Sequence, residues 1–271
     1  TPEGRSSWVK PEAPIAPPFW GVREVAPSFD ELFGFLDAFV VLRNRWGFSQ
    51  GALSDEAFAD LLREKAEPEL ARWRARFEED GFLKPKALYG YFPCRAEGDA
   101  LAVFDPENQD RELSRILFPR QASGRRLAIS DFFSSGRDVV ALQLITLGEG
   151  AAEQDRALYG AGDYRDYFLF HGLATELVEA GAEWIHARIR RELGIAAKDM
   201  KGRALFAQGY QGSRYSFGYP ACPDLEGNAA ILDLLDGGRI GVSLSESFQM
   251  DPEFSTSALV AAHTQARYFS A

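Results

Sequence analysis

YRDYFLFHGLATELVEAGAEWIHARIRREL, residues 164–193, is the longest helical signal in the chain and the segment around which the fold is read. Leu169, Leu173, Leu177, Trp184 and Ile185 recur at helical spacing as one apolar stripe, and Gly194 stops the run. Strand-like segments lie before it, at Ala87–Tyr91, Ala100–Phe104, Arg126–Ile129 and Val139–Leu147, and another follows at Arg239–Ser245. Cys94 and Gly98 fall in the turn between the first two. The remaining helical signals are grouped apart from the strands. Phe29–Val41 reads as one buried helix capped by Ser28 or Asp30. A second starts after Ser54, restarts or kinks at Pro68 and stops at Gly81, and a short one spans Gly227–Leu235. One crossover-like helix with otherwise segregated elements predicts an α+β fold with a largely antiparallel sheet, not a doubly wound one.

The chain has 271 residues, 46% hydrophobic and 26% charged, a composition suited to a self-sufficient core without metal or disulfide staples. No apolar run approaches the ~20 residues of a membrane span, and TPEGRSSWVKPEAP has no signal-peptide core. The two cysteines, Cys94 and Cys222, fit a reducing cytoplasm. A net charge of −10 argues against a nucleic-acid partner. Six of the 14 prolines fall within the first 27 residues, so residues 1–18 read as an extended linker or arm and residues 19–271 as one domain. A first residue that is Thr1 suggests a processed chain or a piece of a longer one.

His171, Thr175, Glu179, Ala182 and His186 share one strip of the long helix beside its apolar stripe, a candidate wall of a polar cleft; the plainer alternative is a solvated or interface face with His171 hydrogen-bonded in the core. The histidines are fifteen residues apart, which does not suit a helical metal site. Two loops resemble each other, YGYFPC at 89–94 and FGYPAC at 217–222, with glycine, tyrosine, proline and cysteine in a turn beside a strand. Such turns admit a ligand close to the backbone and offer it a tyrosine ring; packed aromatics in a tight turn are the plainer alternative. Arg214 lies in the aromatic, glycine-bearing stretch YQGSRYSFGYPACPD, well suited to holding a carboxylate, with Glu246, Asp30 and Glu179 available for an amine or ribose hydroxyls. No dinucleotide glycine fingerprint forms, since Glu153 stands where the third glycine belongs after Gly148 and Gly150. Arg111, Arg115, Arg120, Arg125 and Arg126 make a basic segment that could dock an acidic partner or simply pair with its acidic neighbours.

PPFWGVR at 17–23, RWGF at 45–48, KPKALYGYFPC at 84–94, HGLATELVEAGAEWIHARIRRELGI at 171–195, the 210–224 loop and the terminal ARYFSA together resemble the C-terminal activation, or reactivation, domain of cobalamin-dependent methionine synthase. The resemblance implies a curved α+β domain around a twisted antiparallel sheet that binds S-adenosylmethionine. It implies partnership with the enzyme's cobalamin-binding domain and an electron donor of the flavodoxin type, which together return oxidised cobalamin to methylcobalamin. It assigns S-adenosylmethionine binding to Asp30, Arg214, Gly218, Tyr219, Pro220, Ala221, Tyr268 and Phe269. No catalytic side chain is implied, because the leaving group is a neutral thioether.

The resemblance also implies that His171, Thr175 and Glu179 face the cobalamin. Thr175 stands where some members have an aspartate, and Gln208 where others have a glutamate; Glu179 or Glu149 would then supply the missing acid. Two other functional readings remain at this level: a module that docks a corrinoid protein without turnover, and a small-molecule enzyme using Cys222 as nucleophile.

Overall fold

The computed structural model describes residues 5–199 and 209–271. Strand β2 (Lys86–Glu97) organises the sheet because it is long enough to serve three neighbours. Along one edge it runs antiparallel to β5 (Asp138–Thr146), with Tyr89 opposite Gln143 and Cys94 opposite Asp138. Its other edge is divided between β1 (Gly21–Val25), which pairs with Ala87–Tyr91, and β3 (Ala100–Phe104), which pairs with Cys94–Glu97. Strand β4 (Glu112–Leu117) extends the sheet beyond β3. On the far side β9 (Ser255–Ala261) pairs with β5, and β6 (Ser213–Tyr215) with β9. All these pairings are antiparallel, and β7 (Ser243–Leu244) with β8 (Met250–Asp251) forms a separate two-stranded ribbon.

Side chains alternate across the sheet, so its two faces carry two cores. On one face Tyr89, Tyr91, Ala141, Ile145 and Val260 meet the stripe of the long helix α6 (Tyr164–Glu192), including Leu173, Leu177 and Ile185. The same core takes Leu32 of α1 (Phe29–Gly34) and Trp73 and Phe77 of α4 (Glu67–Asp80). On the other face Leu88, Phe92, Leu142, Leu144 and Leu259 pack against Ile231, Leu232 and Leu235 of α7 (Gly227–Leu235). Each fully buried side chain of this kind contributes about 1.5–3 kcal/mol. The α+β reading and the central helix are therefore observed as expected. Among the described residues no helix is long and apolar enough to cross a membrane.

Several element assignments need correction. Phe29–Val41 is not one helix: α1 ends at Gly34, and the Asp37 carboxylate caps a new turn, α2 (Ala38–Val40), by accepting from the amides of Phe39 and Val40 at 3.0 and 3.4 Å. A π-helical turn, Val41–Arg45, follows. Ser28 does cap α1, in a reciprocal box with Glu31. Ser54 caps α3 (Asp55–Leu61), Pro68 sits in the first turn of α4, and Gly81 ends that helix with a left-handed conformation. Residues 126–129 do not form a strand, because the buried Asp131 carboxylate gathers the Ala128 amide and Arg120 and winds Ile129–Phe132 into a 3-10 turn. Only Ser243–Leu244 of the 239–245 segment pairs as a strand. Cys94 belongs to β2, and Gly98, at φ +61°, makes the turn. Helix α5 (Glu149–Gly160) and strands β4, β6 and β9 have no counterpart in the sequence reading.

Candidate functional site

Strand β6 places Arg214 opposite Val260 at the edge of the sheet, where α6 crosses it. A cavity of about 310 Å³ opens there, walled by α6, the α1–α2 junction, β6 and the C-terminal tail. The Arg214 guanidinium donates to Glu179 at 3.2 Å and lies 3.7 Å from Glu183. Burial works against its charge, but the two carboxylates outweigh burial and hold its pKa above the usual value. Glu183 in turn takes a bond from Arg190 at 3.1 Å, and Arg190 also donates to Asp199 at 3.0 Å. Burial would raise the Glu183 pKa, yet His186, Arg214 and Arg190 together hold it below the ordinary value. His186 is wholly buried, and that burial pushes its pKa down to about 4, so the ring is neutral near pH 7. The Tyr210 ring lies under Arg190 at 4.0 Å and meets His186 edge-on at 5.1 Å.

Asp37 and Glu176 complete the acidic lining, with Phe35, Tyr210, Tyr219 and Tyr268 as its aromatic part. Glu176 is already paired with Arg45 at 2.6 Å. Among the described residues that line the cavity, Arg214 is the one arginine, with Asp37, Glu176, Glu179 and Glu183 as the acids. Such a wall suits a small molecule with one carboxylate and more than one positive centre, since the arginine can grip the carboxylate and the acids and rings can receive the cations. The volume is at the lower end of the range of small-molecule pockets.

A second cavity, of about 490 Å³, shares Glu179, Ser216 and Tyr219 with the first. His171 and Thr175 line it, together with residues 249–250 and 253–257. His171 Nδ1 lies 3.1 Å from the Asp155 carboxylate, whose pKa burial raises. The Thr175 hydroxyl donates to the His171 carbonyl at 2.8 Å. The expected polar strip is therefore only partly a cleft wall: His171, Thr175 and Glu179 line cavities, whereas Ala182 and His186 lie in the interior.

The structure brings Arg214, Tyr219 and Tyr268 to the first cavity and leaves the other expected ligand residues outside its lining. Asp30 lies away from this cavity. Its carboxylate is 85% exposed and pairs with Arg74 at 2.7 Å, while the acid that reaches the cavity is Asp37, beyond the break between α1 and α2. Gly218, at φ +88°, supports the turn through its amide, which donates to the Cys222 carbonyl at 2.9 Å. The Pro220 carbonyl accepts from the Ala271 amide at 3.0 Å, and Ala221 is buried in the core behind the turn. Phe269 packs behind the wall against Tyr215 and Phe132. Glu149 pairs with Arg156 at 2.5 Å in the first turn of α5 and lines neither cavity. Gln208 lies outside the described residues.

Cys222 does not have the setting of a nucleophile. It is buried, its thiol donates to the Ser216 carbonyl at 3.0 Å, and burial pushes its pKa up to about 12. The basic segment is largely engaged within the chain: Arg115 with Glu112 and Glu97, both at 2.8 Å, and Arg120 with Asp131 and Asp99, both at 2.7 Å. Arg111 pairs with Asp105, and Arg125 covers the Trp8 ring. Sequence reasoning missed Asp37, Glu176, Glu183 and Tyr210 as lining residues. The three-and-four spacing of Glu176, Glu179 and Glu183 was a usable signal, because it puts all three on one side of α6.

Comparison with known proteins places this geometry in context. Residues 52–271 match the family model described as vitamin B12 dependent methionine synthase, activation domain. The chain is 39% identical over 274 residues to methionine synthase of Mycobacterium tuberculosis and 38% identical over 275 residues to that of Mycobacterium leprae. In each case 94% of the chain is covered, and it spans 23% of the relative's length. The fold matches a crystal structure described as the MetH reactivation domain bound to AdoHcy, with a TM-score of 0.84 at 24% identity. That match covers 96% of this chain and 83% of the other. The chain therefore belongs to the family of vitamin B12-dependent methionine synthase activation domains.

Proposed function

We propose that the 310 Å³ cavity binds S-adenosylmethionine and that the chain serves a cobalamin-dependent methionine synthase as its reactivation domain. The observation that carries this reading is Arg214, the one arginine among the described lining residues, on a wall with Asp37, Glu176, Glu179 and Glu183. S-adenosylmethionine has one carboxylate and two positive centres, an ammonium and a sulfonium, and so complements that wall in sign. The crystal structure with the same fold is described as bound to AdoHcy, the demethylated form of this ligand.

In this reading Arg214 grips the ligand carboxylate and Asp37 receives the ammonium, while Tyr219 and Tyr268 offer ring faces to the remaining cation and the adenosine. A cobalamin held by a neighbouring domain, kept reduced by a flavodoxin-type electron donor, would supply the nucleophilic chemistry for the ligand's methyl group. The sulfur keeps the bonding electron pair and leaves as a neutral thioether, so no side chain needs to give or take a proton. The work of this domain is to hold the ligand in line and keep water out. His171, Thr175 and Glu179 would meet the cobalamin domain at the second cavity. Of the two acids proposed to replace the one absent at Thr175, Glu179 stands on the wall shared by both cavities and is the better candidate.

Replacing Arg214 with alanine tests the carrying observation. Loss of a charge-assisted contact of ~1.5–3 kcal/mol should weaken S-adenosylmethionine binding about tenfold or more by calorimetry. Unchanged affinity with an intact fold would remove Arg214, and with it this reading of the cavity.

A further inference from the structure

The N-terminal arm is fastened to the segment that follows β9, three residues short of the Tyr268 wall. Gln265 bridges the two in both directions: its Oε1 accepts from the Lys10 amide at 2.7 Å and its Nε2 donates to the Trp8 carbonyl at 3.1 Å. His263 Nε2 donates to the Lys10 carbonyl at 2.8 Å while its Nδ1 accepts from the Gln265 amide at 3.0 Å, so both ring nitrogens are used. The Glu12 carboxylate accepts from the Thr264 amide at 3.0 Å and from the Thr264 hydroxyl. The arm itself is anchored to the body. Arg5 donates to the Asp131 and Phe133 carbonyls, Ser6 to the Arg125 carbonyl, and Trp8 packs under Arg125 and against the second core.

Beyond Gln265 the tail is held by a few further contacts. Tyr215 donates to the Arg267 carbonyl at 2.8 Å, Gln121 to the Ser270 carbonyl at 2.6 Å, and the Ala271 amide donates to the Pro220 carbonyl at 3.0 Å. Residues 266–271 form no helix or strand of their own, so their order comes from such contacts. We infer that Gln265 and Glu12 are positioning residues: by latching the arm to residues 263–265 they hold the tail, and thereby Tyr268, against the cavity. The consequence for ligand binding rests on the proposed function, but the ordering of the tail does not. A loosened latch leaves the cavity wall formed for only a fraction of the time, and apparent affinity falls by that fraction.

The test uses the whole chain with Gln265→Ala and, from the arm side, Glu12→Ala. The readouts are amide hydrogen exchange of Ala266 and Ala271 and calorimetric affinity for S-adenosylmethionine. Each variant should speed exchange at these two amides about tenfold while the amides of β5 stay unchanged, and should weaken binding by a similar factor. Glu12→Gln, which can still accept from Thr264, should restore most of the protection. Unchanged exchange at residues 266–271 in both alanine variants would overturn the latch. Equal loss of protection in β5 would also overturn it, by reducing the effect to general destabilisation. Faster tail exchange in a chain that binds no S-adenosylmethionine even as wild type would uphold the latch and reject the ligand.

Discussion

Arg214 sits between two demands. Without ligand it neutralises Glu179 and Glu183, and a bound carboxylate must compete with both. That competition makes the other acids matter, because in the proposed complex the ammonium would need a partner that Arg214 does not already hold. Asp37 is positioned for this: its carboxylate caps α2 and also lines the cavity. Asp37→Asn should therefore weaken S-adenosylmethionine binding about tenfold. Asp30→Asn, at an exposed ion pair, should leave it within about twofold. Equal effects of the two substitutions in titration calorimetry would reverse this assignment.

His186 makes a separate prediction at the same scale. Its pKa falls from 6.5 to about 4 on burial, so between these values the unfolded chain binds more protons than the folded one. Stability from this residue is thus complete above about pH 6.5 and is lost as pH falls towards 4, by as much as ~3 kcal/mol. Urea unfolding at pH 7 and pH 5 should show about 2 kcal/mol of this drop in the wild type and a smaller one in His186→Phe. Equal drops in the two chains would mean that the imidazole does not titrate with unfolding.

At the level of elements, β2 depends on a glycine. A Cβ at Gly90 would stand 2.5 Å from the Gly21 carbonyl oxygen, which is backbone and cannot rotate away. Gly90→Ala should push β1 from the sheet and cost about 1–3 kcal/mol, read as a lower urea midpoint. A midpoint equal to the wild type would show that β1 can shift freely. The GYFPC stretch, first read as a candidate ligand turn, thus has a structural reason for its glycine, whereas its counterpart at 217–222 does border the cavity through Tyr219. Long elements with strong periodicity, α6 and β5 above all, were legible because many residues repeat one signal. The α1–α2 break was not, since Asp37 caps a turn inside an otherwise continuous apolar run. Strand β6 is three residues long and owes its place to β9, a pairing with no local signature.

Over the whole molecule, the resemblance of dispersed segments identified the family before any geometry was known, and the fold carries it. The site was less legible. Of the expected ligand residues Arg214, Tyr219 and Tyr268 line the first cavity, whereas Glu176, Glu183 and Tyr210 come to it from elements whose approach only the tertiary structure shows. Asp30 and Asp37 lie seven residues apart, and only the break between α1 and α2 separates the acid that lines the cavity from the one that does not. Both cavities meet at Glu179, Ser216 and Tyr219, so ligand binding and docking of the cobalamin domain would share one wall. The most direct measurement is a calorimetric titration of the purified chain with S-adenosylmethionine, with ATP as the control for adenosine binding alone. Saturable one-to-one binding of S-adenosylmethionine with none for ATP is the expected result; no binding of S-adenosylmethionine, or equal binding of ATP, would contradict it.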